Sequence, residues 1–236
     1  MYTSLQRSFK VNYLSHFLLT EKMIPLLKNS TRPTLIQMSS SLHWAVDGSD
    51  LFASPDNEPP MAARAGAFSF WSNHILFWRR DQRAYSNSKL AQILHTRALQ
   101  RRFPDMRMVN VCPGWVGTQL AGQKGTVNHF LLNTLAFDAN GWGVASTLYA
   151  LFDASTNDYY VSSTFPTLFH YLTPLLKQKW SHGLRDVLFQ LITFAMVIGQ
   201  KVSAKVLGTT SSPESYNMTL QDSLYNWSKQ AVAELL

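Results

Sequence analysis

The sequence predicts an α/β protein built on a parallel sheet. Three short strand-like segments alternate with longer helix-like ones: Thr34 to Met38, Met106 to Val111 and Tyr159 to Val161. Helices between consecutive strands indicate β-α-β units with right-handed crossovers, which bring the strands into one sheet. The 236 residues, 46% hydrophobic and 15% charged, suffice for one sizeable core and argue against disorder.

The first predicted helix runs from Phe9 to Lys28. Its apolar residues cover more than one stripe, so we expect burial on most sides, and Pro25 is expected to kink the helix. The segment from Thr34 to Met38 is too short for a helix and is bounded by Pro33 and a run of serines, which favours a strand. Ser40 would then lie at the carboxyl end of that strand.

The segment 44–83 is a long connection, rich in proline at first and aromatic from Phe68 to Trp78. Connections of this length are usually functional or disordered. We interpret the aromatic half as a substrate lid or an apolar docking surface, with plain packing beneath a lid as the alternative. The next helix, Ala84 to Phe103, is predicted from apolar residues on one face and from Pro104, which prevents its continuation. Another helix is predicted from Gly141 to Phe152.

The segment 165–206 is predicted to be an apolar helical insertion. Its most apolar part, Val187 to Gly199, would reach roughly 20 Å, short of the ~30 Å hydrocarbon core of a bilayer. A buried helix or a homodimer contact is expected, and a helix lying on a membrane surface is the alternative. The whole chain, 1–236, is interpreted as a single domain carrying the insertions 44–83 and 165–206.

Charge and cysteine content limit the classes of binding partner and the cellular compartment that we expect. The formal charge is +7, and much of the excess lies between Arg79 and Arg107, which we interpret as a solvated helix face or a surface for an anionic partner. Without a nucleic-acid-binding signature, no nucleic-acid partner is expected. The lone Cys112 excludes an internal disulfide, and no metal-ligand spacing is present. We expect a cytoplasmic protein, or one on the cytosolic face of a membrane such as the endoplasmic reticulum or a lipid droplet, and not a secreted one.

Tyr85 and Lys89 form the most informative pair. They lie four positions apart at the start of a predicted helix and therefore share a face. A neighbouring ammonium favours the phenolate, so the pKa of Tyr85 is expected to fall from about 10 towards neutrality, where the phenol can donate and accept protons. Ser40 and the segment from Pro113 to Thr118 follow two different predicted strands. Because ligands gather beyond the carboxyl ends of parallel strands, these groups should converge on one site.

These motifs resemble the short-chain dehydrogenase/reductase family, above all its retinol-dehydrogenase-like and WW-domain-oxidoreductase-like members. The resemblance is carried by Ala84-Tyr85-Ser86-Asn87-Ser88-Lys89-Leu90-Ala91, by Ser39-Ser40-Ser41 and by Cys112-Pro113-Gly114-Trp115-Val116-Gly117-Thr118. The family's glycine-rich turn for the dinucleotide pyrophosphate and its Asn-Asn-Ala-Gly stretch are not in the sequence. The resemblance therefore implies the C-terminal part of a Rossmann-like doubly wound parallel sheet without its N-terminal strands, which would bind NADP or NAD poorly.

The resemblance also implies a role for each site residue. Tyr85 would be the acid/base, Lys89 would lower its pKa and hold the nicotinamide ribose, and Ser40 would hold the substrate oxygen. Asn12 is similar to the family's asparagine that anchors a water in the proton path. The cofactor-binding set implied is Tyr85, Lys89, Pro113, Gly114, Val116 and Thr118. Val116 would pack against the nicotinamide and Thr118 would reach its carboxamide or the phosphate, whereas His43 is assigned no role.

The function implied is a nicotinamide-dependent carbonyl/alcohol oxidoreductase for an apolar small molecule such as a retinoid, steroid or lipid aldehyde, impaired by what the sequence lacks. The alternative is a non-catalytic remnant that binds a partner or a membrane surface through residues 68–78 and 187–199. A third hypothesis has a separate chain supply the missing half.

Overall fold

The computed structural model describes most of the regular elements of the chain. The described residues are 9–49, 51, 82–117, 136–138, 141–152, 159–163, 188, 191, 192, 195, 199 and 204–235. Their helices are α1 (Ser15–Leu27), α2 (Gln82–Arg102), α3 (Trp142–Phe152) and α4 (Met218–Ala231). Their strands are β1 (Thr34–Met38), β2 (Arg107–Cys112), β3 (Tyr159–Ser163) and β4 (Ala204–Thr209). Short 3-10 helices span Ser41–Ala45, Pro213–Tyr216 and Ala233–Leu235.

The four strands form one sheet in the order β1-β2-β3-β4. The pairs β1/β2 and β2/β3 are parallel, with Leu35 opposite Met108 and Asn110 opposite Tyr159. The predicted α/β class and its three parallel strands are thus confirmed. Strand β4 runs antiparallel to β3 and was not predicted, since its first residues lie within the segment interpreted as helical.

Helices cover both faces of this sheet, as a doubly wound fold requires. On one face Met108 of β2 packs with Ile24 of α1 and Leu99 of α2. On the other face Val109 and Val111 pack with Ala150 of α3 and Tyr160 of β3. Successive residues of β2 therefore face opposite layers, as the alternation of side chains along a strand demands. Among the described residues, no helix is long and apolar enough to cross a lipid bilayer.

The start of the first helix departs from α-helical geometry. Lys10–Leu14 form a π-helical turn that leads directly into α1, and Asn12 lies within that turn. Pro25, predicted to kink the helix, lies instead in its last turn. Single π-helical turns are rare and are often found at functional sites.

The C-terminal helix α4 packs along α2 through polar and apolar contacts. Arg101 and Arg102 both form ion pairs with Asp222, at 2.7 and 3.0 Å. The Arg102 guanidinium also lies 4.0 Å from the centre of the Tyr225 ring, within cation-π range. Both arginines remain partly exposed, as expected for a solvated helix face, and they pair with α4 of the same chain.

Truncating Leu224 should test how much the fold depends on this packing. Leu224 of α4 is fully buried in a cluster with Leu90 and Leu94 of α2. Leu224→Ala is expected to lower the free energy of unfolding by about 2–5 kcal/mol, because the cavity cannot collapse completely. Denaturant unfolding measures the change. Met218→Ala, at an exposed position of α4, is the control and should change stability by about 0.5 kcal/mol or less. Equal losses in the two variants would contradict the packing assigned to α4.

Candidate active site

The carboxyl ends of β1 and β2 bring two predicted site segments together. The backbone N–H of Ser39 donates to the Val111 carbonyl at 2.8 Å, which extends the pairing of the two strands beyond Met38. Ser40 follows with extended backbone and begins the Ser41–Ala45 turn, where its hydroxyl accepts from the Leu42 N–H at 3.3 Å. The serine hydroxyl therefore stands at the sheet edge where ligands of parallel α/β folds gather.

Helix α2 presents Tyr85 and Lys89 to the same edge. The Tyr85 and Ser40 side chains lie close enough to interact, and this interaction affects the pKa of the phenol. The Lys89 ammonium lies 5.5 Å from the centre of the Tyr85 ring and donates to the Met38 carbonyl at 3.1 Å. The phenol, the ammonium and the serine hydroxyl predicted to cooperate thus share one corner of the molecule, although their catalytic roles remain predictions.

Asn12 contacts these site residues through its side-chain amide and its backbone carbonyl. Its side-chain amide donates to the Ser88 hydroxyl at 3.3 Å, and that hydroxyl donates to the Tyr85 carbonyl at 2.7 Å. Its backbone carbonyl accepts from the Gln92 amide at 2.6 Å. The other end of the Gln92 amide accepts from the Lys89 ammonium at 3.0 Å. Gln92 was not predicted, and the available signal was its position three residues after Lys89 on the same helix face.

The electrostatics of the pair differ from the prediction. Burial raises the pKa of Tyr85 to about 12; the neighbouring Cys112 adds to the rise, and the polar side chain of Ser40 opposes it. Burial also lowers the pKa of Lys89 to about 8. The predicted fall of the phenol pKa towards neutrality is therefore wrong for this structure. Loss of hydration outweighs the attraction of an ammonium that is held by the Met38 carbonyl and Gln92.

The predicted cofactor loop leaves β2 through a tight turn. Gly114 has a φ of +80°, a conformation that side chains of L-residues strain. Val116 forms an isolated parallel bridge with Phe137, and a Cβ on Gly143 of α3 would meet its Cγ1 at 2.8 Å. Because Gly143 has no side chain, α3 can pack closely against the Val116 side chain. Pro113, Gly114 and Val116 lie together beyond β2 as predicted, whereas Thr118 lies outside the described residues.

His43, assigned no role from the sequence, is fully buried at the site. Its Nε2 accepts from the Ser212 N–H at 2.9 Å, so the ring proton is placed on Nδ1, which donates to the Ser40 carbonyl at 2.6 Å. Ser41 connects the same segment to β2, since its backbone N–H and its hydroxyl both donate to the Cys112 sulfur. The backbone beside Ser40 is therefore held by both the C-terminal segment and β2.

An apolar cluster lies beside Tyr85. The buried residues Leu42, Trp44 and Ile192 pack together, and Tyr85 and Leu188 pack against them. Part of the segment predicted as an apolar helix, 187–199, thus turns towards the site, while its Leu191 is 56% exposed. The aromatic stretch from Phe68 to Trp78 lies outside the described residues. In the part of the chain that the structure describes, no cluster of His, Cys, Asp and Glu could hold a metal.

The mostly parallel α/β sheet brings serine, tyrosine and lysine together at its strand ends, and sequence comparisons find relatives with which the chain can be compared. The chain is 26% identical over 137 residues to (+)-neomenthol dehydrogenase of Capsicum annuum, which covers 53% of this chain and 44% of that protein. It is 24% identical over 203 residues to short-chain dehydrogenase TIC 32 A, chloroplastic, of Brassica napus, covering 78% and 57%. It is 33% identical over 117 residues to retinol dehydrogenase 14 of Mus musculus, covering 49% and 29%.

These relatives are short-chain dehydrogenase/reductases, and the predicted resemblance to that family is confirmed. No family model matches the chain. The chain spans about half the length of the first curated relatives it matches.

Proposed function

We propose that this chain carries the catalytic part of a nicotinamide-dependent oxidoreductase that interconverts carbonyl and alcohol groups on apolar small molecules. The supporting observation is that the Tyr85 phenol lies beside the Ser40 side chain, with the Lys89 ammonium 5.5 Å from the centre of its ring. A phenol and a serine hydroxyl side by side can act on one carbonyl oxygen, the phenol as proton donor and the serine as hydrogen-bond donor.

NADP or NAD is the cofactor that the family implies, and the residues present fit its nicotinamide end. Lys89 uses two of its three N–H donors, on the Met38 carbonyl and on Gln92, which leaves one for a ribose hydroxyl. Gly114 has no side chain to obstruct a ring lying over the turn after β2, and Val116 offers an apolar surface next to it. When bound, the nicotinamide supplies or accepts the hydride.

Residues of this chain would donate the proton and bind the carbonyl oxygen of the substrate. With a pKa of about 12, the Tyr85 phenol keeps its proton at neutral pH, so it is poised to donate to a carbonyl oxygen. Ser40 would donate a hydrogen bond to the same oxygen as negative charge develops there. At neutral pH the phenol is therefore in the protonated form that carbonyl reduction needs.

The apolar cluster beside Tyr85 supports an apolar substrate. Leu42, Trp44 and Ile192 bury hydrocarbon surface next to the phenol, and a substrate entering there would extend that surface. The relatives' names point the same way, since neomenthol and retinol are both largely hydrocarbon alcohols. The proposed substrates are accordingly retinoid-, steroid- or terpenoid-like carbonyl compounds.

Replacing Ser40 with alanine tests the proposal. Purified chain is assayed for oxidation of NADPH or NADH with an apolar aldehyde, a cyclic terpenoid ketone and a small polar aldehyde. We expect turnover of the apolar carbonyls and a loss of about 10²–10³ in kcat for Ser40→Ala, because one donor to the developing oxyanion is removed.

Ser223→Ala serves as the matched control, because Ser223 is exposed on α4. It should retain the activity of the parent chain. Turnover that survives Ser40→Ala would overturn the assignment of this site. The proposal as a whole would fall if the chain neither bound a nicotinamide dinucleotide nor reduced any of these carbonyls.

A further inference from the structure

We propose that Gln92 is a positioning residue that holds the Lys89 ammonium by linking it to the backbone carbonyl of Asn12. The inference rests on the proposed function for its catalytic consequence, although the link itself is a property of the folded chain. Gln92 is only 2% exposed, lies on the same face of α2 as Lys89 and forms a hydrogen bond at each end of its amide.

The chemistry of the two partners determines which way the amide points. An ammonium only donates and a backbone carbonyl only accepts. The Gln92 oxygen must therefore face Lys89 and its NH₂ must face Asn12, since the reversed amide would set donor against donor and acceptor against acceptor. Asn12 thus fixes the orientation in which Gln92 can accept from Lys89.

The unusual turn at the start of the first helix supplies the anchor. Asn12 lies inside the π-helical turn Lys10–Leu14, and its side chain separately holds Ser88. The turn is thereby tied to α2 at two points, one on each side of Lys89 along the helix. A shift of this turn would move the Gln92 amide and, through it, the ammonium.

Gln92 also contributes to keeping Lys89 charged. Burial disfavours the ammonium, and the Met38 carbonyl and the Gln92 oxygen offset part of that loss of hydration. The titratable groups facing Lys89 are Tyr85 on its own helix, Cys112 of β2 and His16 of α1. A non-titrating acceptor at position 92 supports the ammonium at any pH at which the fold persists.

Two substitutions at Gln92 should shift the Lys89 pKa in opposite directions. Gln92→Met keeps much of the length and removes both hydrogen bonds, so the Lys89 pKa should fall by about one unit. Gln92→Glu places a carboxylate against the ammonium while giving up the donor to the Asn12 carbonyl, so the Lys89 pKa should rise although the link to Asn12 is broken. Titration of the Lys89 Cε resonance in the intact chain, labelled with ¹³C-lysine, measures both shifts without requiring turnover.

Gln100→Met is a matched control on the same helix. The Gln100 amide also donates to a backbone carbonyl, that of Met108, but Gln100 lies two helical turns further from the site. Its replacement should leave the Lys89 resonance unchanged. A general loosening of α2 would instead move Lys89 in all three variants.

The kinetic readout tests the catalytic consequence separately. In Gln92→Met we expect kcat to fall about tenfold near neutral pH with little change in the KM of the carbonyl substrate, and the high-pH limb of the kcat profile should move to lower pH. Lys89 shifts of opposite sign would support the positioning role even if the chain proved inactive, in which case only the proposed function would fail. An unchanged Lys89 pKa in both Gln92 variants, or shifts of the same sign, would overturn the inference. Should Gln92→Met fail to fold, an unchanged Lys89 pKa in Gln92→Glu would by itself overturn the inference, because it would show that the side chain at position 92 does not face the ammonium.

Discussion

Replacing Tyr85 with phenylalanine is expected to reduce carbonyl turnover by about 10²–10⁴-fold, the contribution typical of general acid catalysis. The variant loses the phenol beside Ser40, which carries its proton at neutral pH. The aromatic ring remains and can still pack against the apolar cluster around Leu42 and Trp44. Stability should therefore change by about 1 kcal/mol or less, since one hydrogen bond is the most that loss of a hydroxyl would remove. Steady-state kinetics at saturating nicotinamide cofactor, together with denaturant unfolding, measure the two effects.

Tyr216→Phe provides the comparison for this substitution. Tyr216 is 43% exposed, and its ring stacks on the Arg97 guanidinium, a contact that survives loss of the hydroxyl. This variant should keep full activity. If Tyr85→Phe retained more than about a tenth of the parent rate, the proton would have to come from another donor and the acid/base assignment would be wrong.

The elements defined by local patterns could be predicted from the sequence. Strands β1 and β2 are short apolar runs between breakers, and α2 has an apolar face with Pro104 after it. Their connection pattern alone places Ser40 and Pro113 at one sheet edge, because parallel strands align their carboxyl ends. Tyr85 and Lys89 are four residues apart, so they lie on one face as soon as α2 is helical.

The features that depend on distant contacts could not be predicted in this way. Strand β4 is defined by its antiparallel pairing with β3. The residues of β4 taken alone do not indicate this pairing. The contacts of Gln92 with Asn12, and of His43 with Ser212, join residues far apart in the sequence. A glutamine or histidine in an otherwise ordinary segment carries no sign of such a partner.

The sign of the Tyr85 pKa shift belongs to the same category. Spacing along a helix indicates which charges are near the phenol, but the extent of burial is a tertiary property. In this structure desolvation is the largest effect on both Tyr85 and Lys89, so the phenol holds its proton more tightly and the ammonium less tightly than in water.

Lys89→Met should increase stability at neutral pH while lowering turnover. Turnover should fall by about 10²-fold or more. The variant loses the ammonium that is expected to hold the ribose and whose positive charge stabilises negative charge on the Tyr85 oxygen. For stability, burial has lowered the Lys89 pKa in the folded chain to about 8 from 10.5. Below about pH 8 the folded chain must therefore keep a charge that is more stable in the unfolded chain, and methionine removes this penalty.

The expected gain is on the order of 1 kcal/mol at pH 7, because partial exposure of Lys89 reduces the penalty and its two hydrogen bonds are also lost. Between pH 8 and 10.5 the unfolded parent chain binds more protons than the folded one, so the stability of the parent rises with pH. The difference between Lys89→Met and the parent should shrink across this window as the penalty disappears. Lys22→Met, at an exposed position of α1, should show no such trend. A difference between Lys89→Met and the parent that stays constant from pH 7 to 10.5 would show that the Lys89 ammonium is not destabilised by burial, and the electrostatic account of the Tyr85 and Lys89 pair would have to be abandoned.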